Sequence, residues 1–402
     1  MNLLNRYRLL MVLMHTGFLG NLVVIYYLSK GLSYAQIGLA TALTAWGIVL
    51  LEVPTGIIGD RVSRKLSVLI GLTLNAIATV VLVFLSSFPM LLLYALLMAL
   101  SVAFVSGSLQ AWLFDTMRHL GKEREFREFM KGTKSLTIPV SALTLVIGAF
   151  LAQLHGFTLP LVLSFIIEVA MIILALSIPE YGFEPVRESY GKHTLGAFRE
   201  LFSGRIFPLV AVSILVSLET NQFRKFFEPY LGKVLAVYLG TTITGTLGLL
   251  GIAEVTVRTL PKFIGIRIRD SWSLRLYSVA PVLVPILTTL SVLYKNPLWI
   301  VLLGVVATVV STAFQFNIAI ELQHRLPSEK RATILSADSM VSALTMGSFY
   351  TVYGFAVNAL GLAKARLVFA LVLLALGLLV KALEVLGPLG EVLKVEHLKR
   401  EH

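Results

Sequence analysis

Cysteine is absent from the 402-residue chain. That excludes disulfides, thiol nucleophiles and cysteine-based metal sites, and it leaves the redox compartment unmarked. Charge is scarce: Asp, Glu, Lys and Arg make up 14% of residues, against about 25% in a typical soluble domain. Catalytic signatures are missing too. There is no G-x-S-x-G elbow, no H-E-x-x-H pair and no G-x-x-x-x-G-K-[ST] loop, so serine-hydrolase, zinc-protease and P-loop ATPase chemistry find no foothold. No convergent set of catalytic groups stands at one depth. The chain is read as a non-enzyme with no cofactor and no bound metal. The short alternating segments of a membrane barrel are also absent.

What is present is apolar. Hydrophobic residues make up 57% of the chain and the mean hydropathy is +0.85. A core of ordinary size cannot hide that much apolar surface, so lipid is the solvent for much of it. Helices satisfy their own backbone hydrogen bonds in oil and are the spanning element that fits. Twelve spans are predicted, at 8–28, 37–58, 66–85, 90–114, 135–155, 159–178, 206–230, 242–264, 273–294, 297–320, 332–357 and 363–386. Turn chemistry such as KGLS, SSFP and YKNP separates several of them. The opening MNLLNRYRLLMVLMHTGFLG lacks an A-x-A cleavage site, so it reads as a first span rather than a removed leader.

Charge placement orients the chain. Five cations fall in outward links, Lys30, Lys233, Lys295, Lys364 and Arg366, and three inside spans, Arg224, Lys225 and Arg258; the other 26 of 34 face inward if the N-terminus does. By the positive-inside rule both termini are cytoplasmic. The net charge of +12 is then a footprint of topology against an anionic leaflet, not of nucleic-acid binding. The chain divides into a bundle over 1–178, a polar cytoplasmic loop over 179–205, a second bundle over 206–386 and a tail over 387–402. The halves echo one another: Asp115, Leu120 and Glu123 match Glu321, Leu326 and Glu329 at one constant offset. Paired six-helix halves are a transporter plan, with the site near the bilayer midplane.

Between predicted spans two and three stands Gly56-Ile-Ile-Gly59-Asp60-Arg61-Val-Ser63-Arg64-Lys65. This resembles the G-x-x-x-D-R-x-G-R-K signature loop of the major facilitator superfamily, with Ser63 where glycine is usual and the turn correspondingly less free to adopt positive φ. The preceding LEVPTG, and SGSLQAWLFDTMRHLG at the end of span four, resemble a drug-efflux-like branch of that superfamily. The resemblance implies an all-α membrane protein of two pseudo-symmetric six-helix bundles that rock about a central cavity. It implies that spans 1, 4, 7 and 10 line that cavity, and that the loop helps shut the cytoplasmic side. Expected gate residues are Glu52, Gly56, Asp60, Arg61, Arg64, Lys65, Asp115 and Arg331. Asp60 would meet the positive N-terminal end of span eleven near Arg331, and Arg61, Arg64 and Lys65 would pair with Asp115. For Arg64 and Lys65 a plain positive-inside anchor is the alternative.

Ionisable groups inside spans mark function by default, since a charge at bilayer centre costs roughly 2.5–3.5 kcal/mol on insertion scales. Glu219 on span seven is the leading candidate for proton coupling or substrate binding. Gln222 and Phe226 follow on the same face, and a structural ion pair with Arg224 or Lys225 is the alternative. Glu254 and Arg258 are spaced i, i+4 and pair along span eight, unless a substrate competes for Arg258. Glu168 lies on peripheral span six and is read mainly as structural, turned to an unnamed polar partner. His15 and Asn21 on span one, with Gln315 and Asn317 on span ten, complete the candidate site. His15 suits a proton relay or simple packing.

Taken with the resemblance, these residues describe a secondary transporter using alternating access, most simply a proton-coupled exporter of small amphipathic solutes. A transporter of an organic anion or metabolite is the alternative, and a receptor or lipid scramblase the alternative class. The implied partners are the lipid bilayer, a small-molecule substrate and protons, with a monomeric chain in the cell membrane. The lack of native cysteine makes the topology directly testable. Ser189→Cys is expected to react with an impermeant maleimide only after the membrane is opened, and Lys295→Cys in intact cells. The reverse pattern would invert the orientation.

Overall fold

The computed structural model describes residues 2–185, 207–224, 226–259, 261, 270–325 and 331–386. Among these every regular element is a helix. The first compact unit comprises Met1–Glu188 with Thr244–Gly251, and the second Ser189–Ile243 with Ile252–His402. Among the described residues eight helices are long and apolar enough to cross a membrane, or nine if the bent pair Phe227–Leu239 and Thr244–Arg258 is one span. The protein is thus an all-helical, multi-pass membrane protein, and the count of twelve rests on the sequence.

In the first unit the helices are α1 (Leu3–Leu13), α2 (Val23–Ser29), α3 (Tyr34–Arg61), α4 (Arg64–Val83), α5 (Phe88–Val105), α6 (Ser108–His119), α7 (Phe126–His155) and α8 (Thr158–Leu176). Local signals set their ends. Ser33 and Gln36 form a reciprocal capping box on α3. Ser63 accepts from the Leu66 N–H and caps α4. Its φ of −174° is extended backbone, so glycine's freedom is not needed there. The serine instead supplies a hydroxyl to an orphan donor.

Two predicted spans are broken. The first stops at Leu13, runs irregularly to a 3₁₀ turn at Gly20–Leu22 and resumes as α2. The fourth breaks at Ser106–Gly107, where Gly107 holds a φ of +72°, and continues to His119. Non-helical backbone at membrane depth persists only where protein or a polar cavity shelters it. At the first break the shelter is α7. The Phe18 backbone lies directly against Gly148, where any side chain would collide, and the Gly17 N–H donates to Thr144 Oγ1 at 3.3 Å. Tyr7, Leu10, Trp112, Leu113 and Met117 form one buried cluster in this unit, tied by a 2.8 Å bond between the Tyr7 and Thr116 hydroxyls.

The second unit holds α9 (Phe207–Arg224), α10 (Phe227–Leu239), most of α11 (Leu247–Arg258), α12 (Asp270–Leu293), α13 (Pro297–Arg325), α14 (Arg331–Leu360) and α15 (Leu362–Leu386). The predicted seventh span is also broken, before Phe226, which takes a φ of +59°. A bulky residue adopts that region only when its surroundings demand it. Phe226 is fully buried and stacks on Tyr353, with Phe349 and Phe369 against Tyr353 in turn. Large apolar side chains such as Phe84, Leu154, Ile173 and Val237 are exposed, as expected where lipid is the solvent.

Gly148→Ala is expected to lower the thermal midpoint of the purified protein, reflecting roughly 1–3 kcal/mol of overpacking. Gly132→Ala on the same helix meets nothing within 4 Å and should leave the midpoint level or slightly higher.

Candidate functional site

The signature loop is the turn between α3 and α4, and its charges resolve into a bonded knot within the first unit. The Arg64 guanidinium pairs with Asp115 on α6 and donates to the Ala111 carbonyl at 3.2 Å. Asp60 lies 3.8 Å from Arg64, and Arg118 lies 3.6 Å from Asp115. The Asp115 side chain is only 7% exposed, so its charge depends on these cations. Arg61 and Lys65 are not brought to Asp115. Arg61 is exposed, and the Lys65 amine donates to the Leu176 carbonyl at 3.0 Å. The Lys65 stem reaches that carbonyl instead of a carboxylate already filled by Arg64.

Glu180 completes the knot, and sequence reasoning missed it. Its carboxylate accepts the Ser63 hydroxyl at 2.7 Å and the Lys65 N–H at 2.9 Å, an anion seated on the N-terminus of α4. The available signal was an acid immediately after a span, facing a turn rich in cations. Glu52 is exposed on α3 and Gly56 is half-buried. The side chain of Arg331 lies outside the described residues.

In the second unit, α9 and α13 are joined by a polar strip. Gln315 accepts from the Ser213 hydroxyl at 3.1 Å and donates to the Ser213 carbonyl at 3.1 Å and the Ser217 hydroxyl at 2.7 Å. Thr220 bonds Ser311 across the same seam. Glu219 precedes Thr220 on the α9 backbone, but the side chains of Glu219, Gln222, Arg224 and Lys225 lie outside the described residues, as does that of Asn21. Asn317 is buried and donates to its own helix at Ala313. His15 is bonded to the Met11 carbonyl at 2.7 Å. Phe226 does not share a helical face with Glu219, because the helix breaks between them.

The second charged group was only half visible in the sequence. Arg258 pairs with Glu254 at 3.0 Å along α11 and also reaches Glu228 on α10 at 3.4 Å. Both carboxylates are buried. Arg366, counted from the sequence among outward-link cations, is 0% exposed. Its guanidinium sits 4.7 Å from the centre of the Tyr230 ring, and it interacts electrostatically with Glu228. Two acids and two bases thus balance one another inside the unit. Nearby, a cavity of about 620 Å³ is lined by Tyr230, Tyr238 and three lysines, Lys233, Lys295 and Lys364.

Broken spans and buried charge clusters, in described residues whose regular elements are all helices, are features that membrane transporters share. The chain belongs to the Major Facilitator Superfamily, whose family model matches residues 9–350. An uncharacterized MFS-type transporter, YxaM of Bacillus subtilis (strain 168), is 26% identical over 158 residues, which is 39% of this chain and 37% of that protein's length. Among solved structures, the nucleoside transporter NupG superposes with a TM-score of 0.77 at 16% identity, covering 95% of this chain and 99% of its own. A bacterial homolog of the human lysosomal transporter Spinster gives 0.69 at 16% identity, covering 95% of each chain. At these identities the likeness is one of fold.

Arg64→Ala is expected to cost about 3–5 kcal/mol by leaving Asp115 buried without its main partner. The double variant Arg64→Ala with Asp115→Asn should recover part of that loss, read as thermal midpoints in one detergent. Equal loss in both would show that the unpaired Asp115 charge is not what destabilises the single variant.

Proposed function

We propose that the protein is a proton-coupled exporter of small amphipathic solutes, acting as a monomer in the cell membrane with both termini cytoplasmic. The observation that carries the coupling is the buried bridge in which Glu228 and Glu254 share the Arg258 guanidinium. A proton taken by either carboxylate releases one hold on Arg258 and changes the cluster's net charge by one. In a low-dielectric interior such a change is large enough to favour one conformation over another. Glu219 extends the reading. It lies on α9 beside the polar seam to α13, where a carboxylate that gains and loses a proton alters the helix that carries it. The Arg64–Asp115 knot serves as a cytoplasmic gate in this scheme, and opening inward loosens it. The choice of amphipathic solutes is supported by the resemblance of the α3–α4 turn and of α6 to drug-efflux members of the superfamily.

One observation favours an organic anion instead: the cavity lined by Lys233, Lys295 and Lys364. Arg258 itself is committed to two carboxylates and is a poor anion ligand while both are ionised.

Proteoliposomes with an imposed pH gradient, offered cationic, neutral and anionic amphipaths, test the reading. Wild type is expected to move cationic or neutral solutes with the gradient. Glu219→Gln and Glu254→Gln should each lower that flux at least about tenfold and flatten its pH dependence, a loss of about 1.4 kcal/mol or more in coupling. Flux and pH dependence untouched by both changes would remove the coupling assignment. Carriage of anions alone would put the second reading in its place.

A further inference from the structure

Glu168 takes no part in the scheme above. It sits near the middle of α8, on a span expected at the periphery, yet it does not face lipid: it is 8% exposed. Its Oε1 accepts from Asn75 Nδ2 at 2.9 Å and from Thr79 Oγ1 at 2.8 Å, both on α4. Its Oε2 is buried and has no hydrogen-bond partner among the described residues. Asn75 and Thr79 are the polar partners that the sequence left unnamed.

Glu168 lines a cavity of about 190 Å³ inside the first unit, together with Tyr94, Ser164 and the irregular backbone of the first span around Thr16–Gly20. Leu13 and Met14 line it too, which places the negative pole of α1 at the cavity. No Lys, Arg or His lines it among the described residues. Glu168 and Tyr94 are its titratable groups. Just past α1, His15 does not line the cavity and bonds the Met11 carbonyl through Nδ1. The start of α2 and the Asn75 amide also line this space, but the Asn75 Nδ2 is spent on Glu168, and among the described lining residues the acid Glu168 meets no cation.

That set suits one kind of guest. Hard oxygen donors favour alkali and alkaline-earth ions over softer metals, and no cluster of three His, Cys, Asp or Glu exists among the described residues. A single carboxylate balances a single positive charge, whereas a divalent ion would leave an unbalanced charge in oil. The space exceeds the roughly 30 Å³ share of one water but falls below the roughly 300 Å³ at which drug-sized ligands begin to fit.

We propose that this cavity binds one sodium ion, held by the Glu168 carboxylate with oxygens of Thr79 and of the unwound backbone of the first span. The bound ion would tie the broken span to α4 and α8 and fix the first unit around it. This site is separate from the proton chemistry assigned to the second unit, and its test involves no transport.

The full-length protein, purified in detergent at pH 8 and constant ionic strength, is assayed for ²²Na⁺ binding by scintillation proximity and for its thermal midpoint. Wild type is expected to bind ²²Na⁺ saturably, to lose it to unlabelled NaCl but not to choline chloride, and to melt several degrees higher in sodium. Glu168→Gln should reduce the affinity at least tenfold and abolish the sodium-dependent shift. If that variant does not fold, Thr79→Val carries the comparison, with a weaker affinity expected and an unchanged one overturning the site. Absence of saturable binding in wild type, or equal binding by Glu168→Gln, overturns the proposal. So does stabilisation by lowered pH with no response to sodium, which would make this a proton site only.

Discussion

An ionised group buried away from water must be met by an opposite charge, by donors, or by a proton that removes the charge altogether. Much of this structure is organised by that constraint. Asp115 is met by Arg64 and Arg118, Glu228 and Glu254 by Arg258, and Glu180 by the free donors at the start of α4. In each case the helix positions follow from the pairing as much as the pairing follows from the helices. Without an aqueous hydrophobic drive between spans, such polar contacts and close backbone packing carry more of the specificity than greasy surface does.

The same constraint separates what was legible in the sequence from what was not. Hydropathy exposed the helices because each one satisfies its own backbone and only its side chains must suit the oil. It was blind to the breaks, since neither the interruption at His15–Leu19 nor the left-handed turn at Phe226 carries a proline, and hydropathy averaged over a whole span passes over a few polar residues. Glu254 and Arg258 were readable because they sit one turn apart on a single helix. Arg64 and Asp115 were readable only through the signature loop. Glu180, Glu228 and Arg366 were not, because their partners lie far along the chain: Glu180 is 115 residues from Lys65. Arg366 looked like an ordinary link cation, and nothing local told of the tyrosine ring that covers it. Ser63 looked like a departure from pattern, although its hydroxyl has two duties, capping α4 and meeting Glu180.

Family and chemistry are legible at different levels. The superfamily follows from one loop and the succession of apolar helices, and structures sharing 16% of residues superpose over 95% of the chain. The solute depends on which few polar groups interrupt those helices, and these differ freely beneath an unchanged architecture. Here the interruptions fall into separate settings: a gate-like knot and an isolated acid in the first unit, and a balanced cluster in the second.

The tie from Glu180 to the α3–α4 turn has a mechanical side. The chain leaving α8 is clamped at several places in succession: Ser177 by Arg6, Pro179 by Trp112, Glu180 by Ser63 and Lys65, and Gly182 by Arg118. A tether rooted so firmly cannot slacken near its base. Residues 177–182 therefore travel with the signature turn, which makes this first stretch of the central loop a handle rather than a hinge.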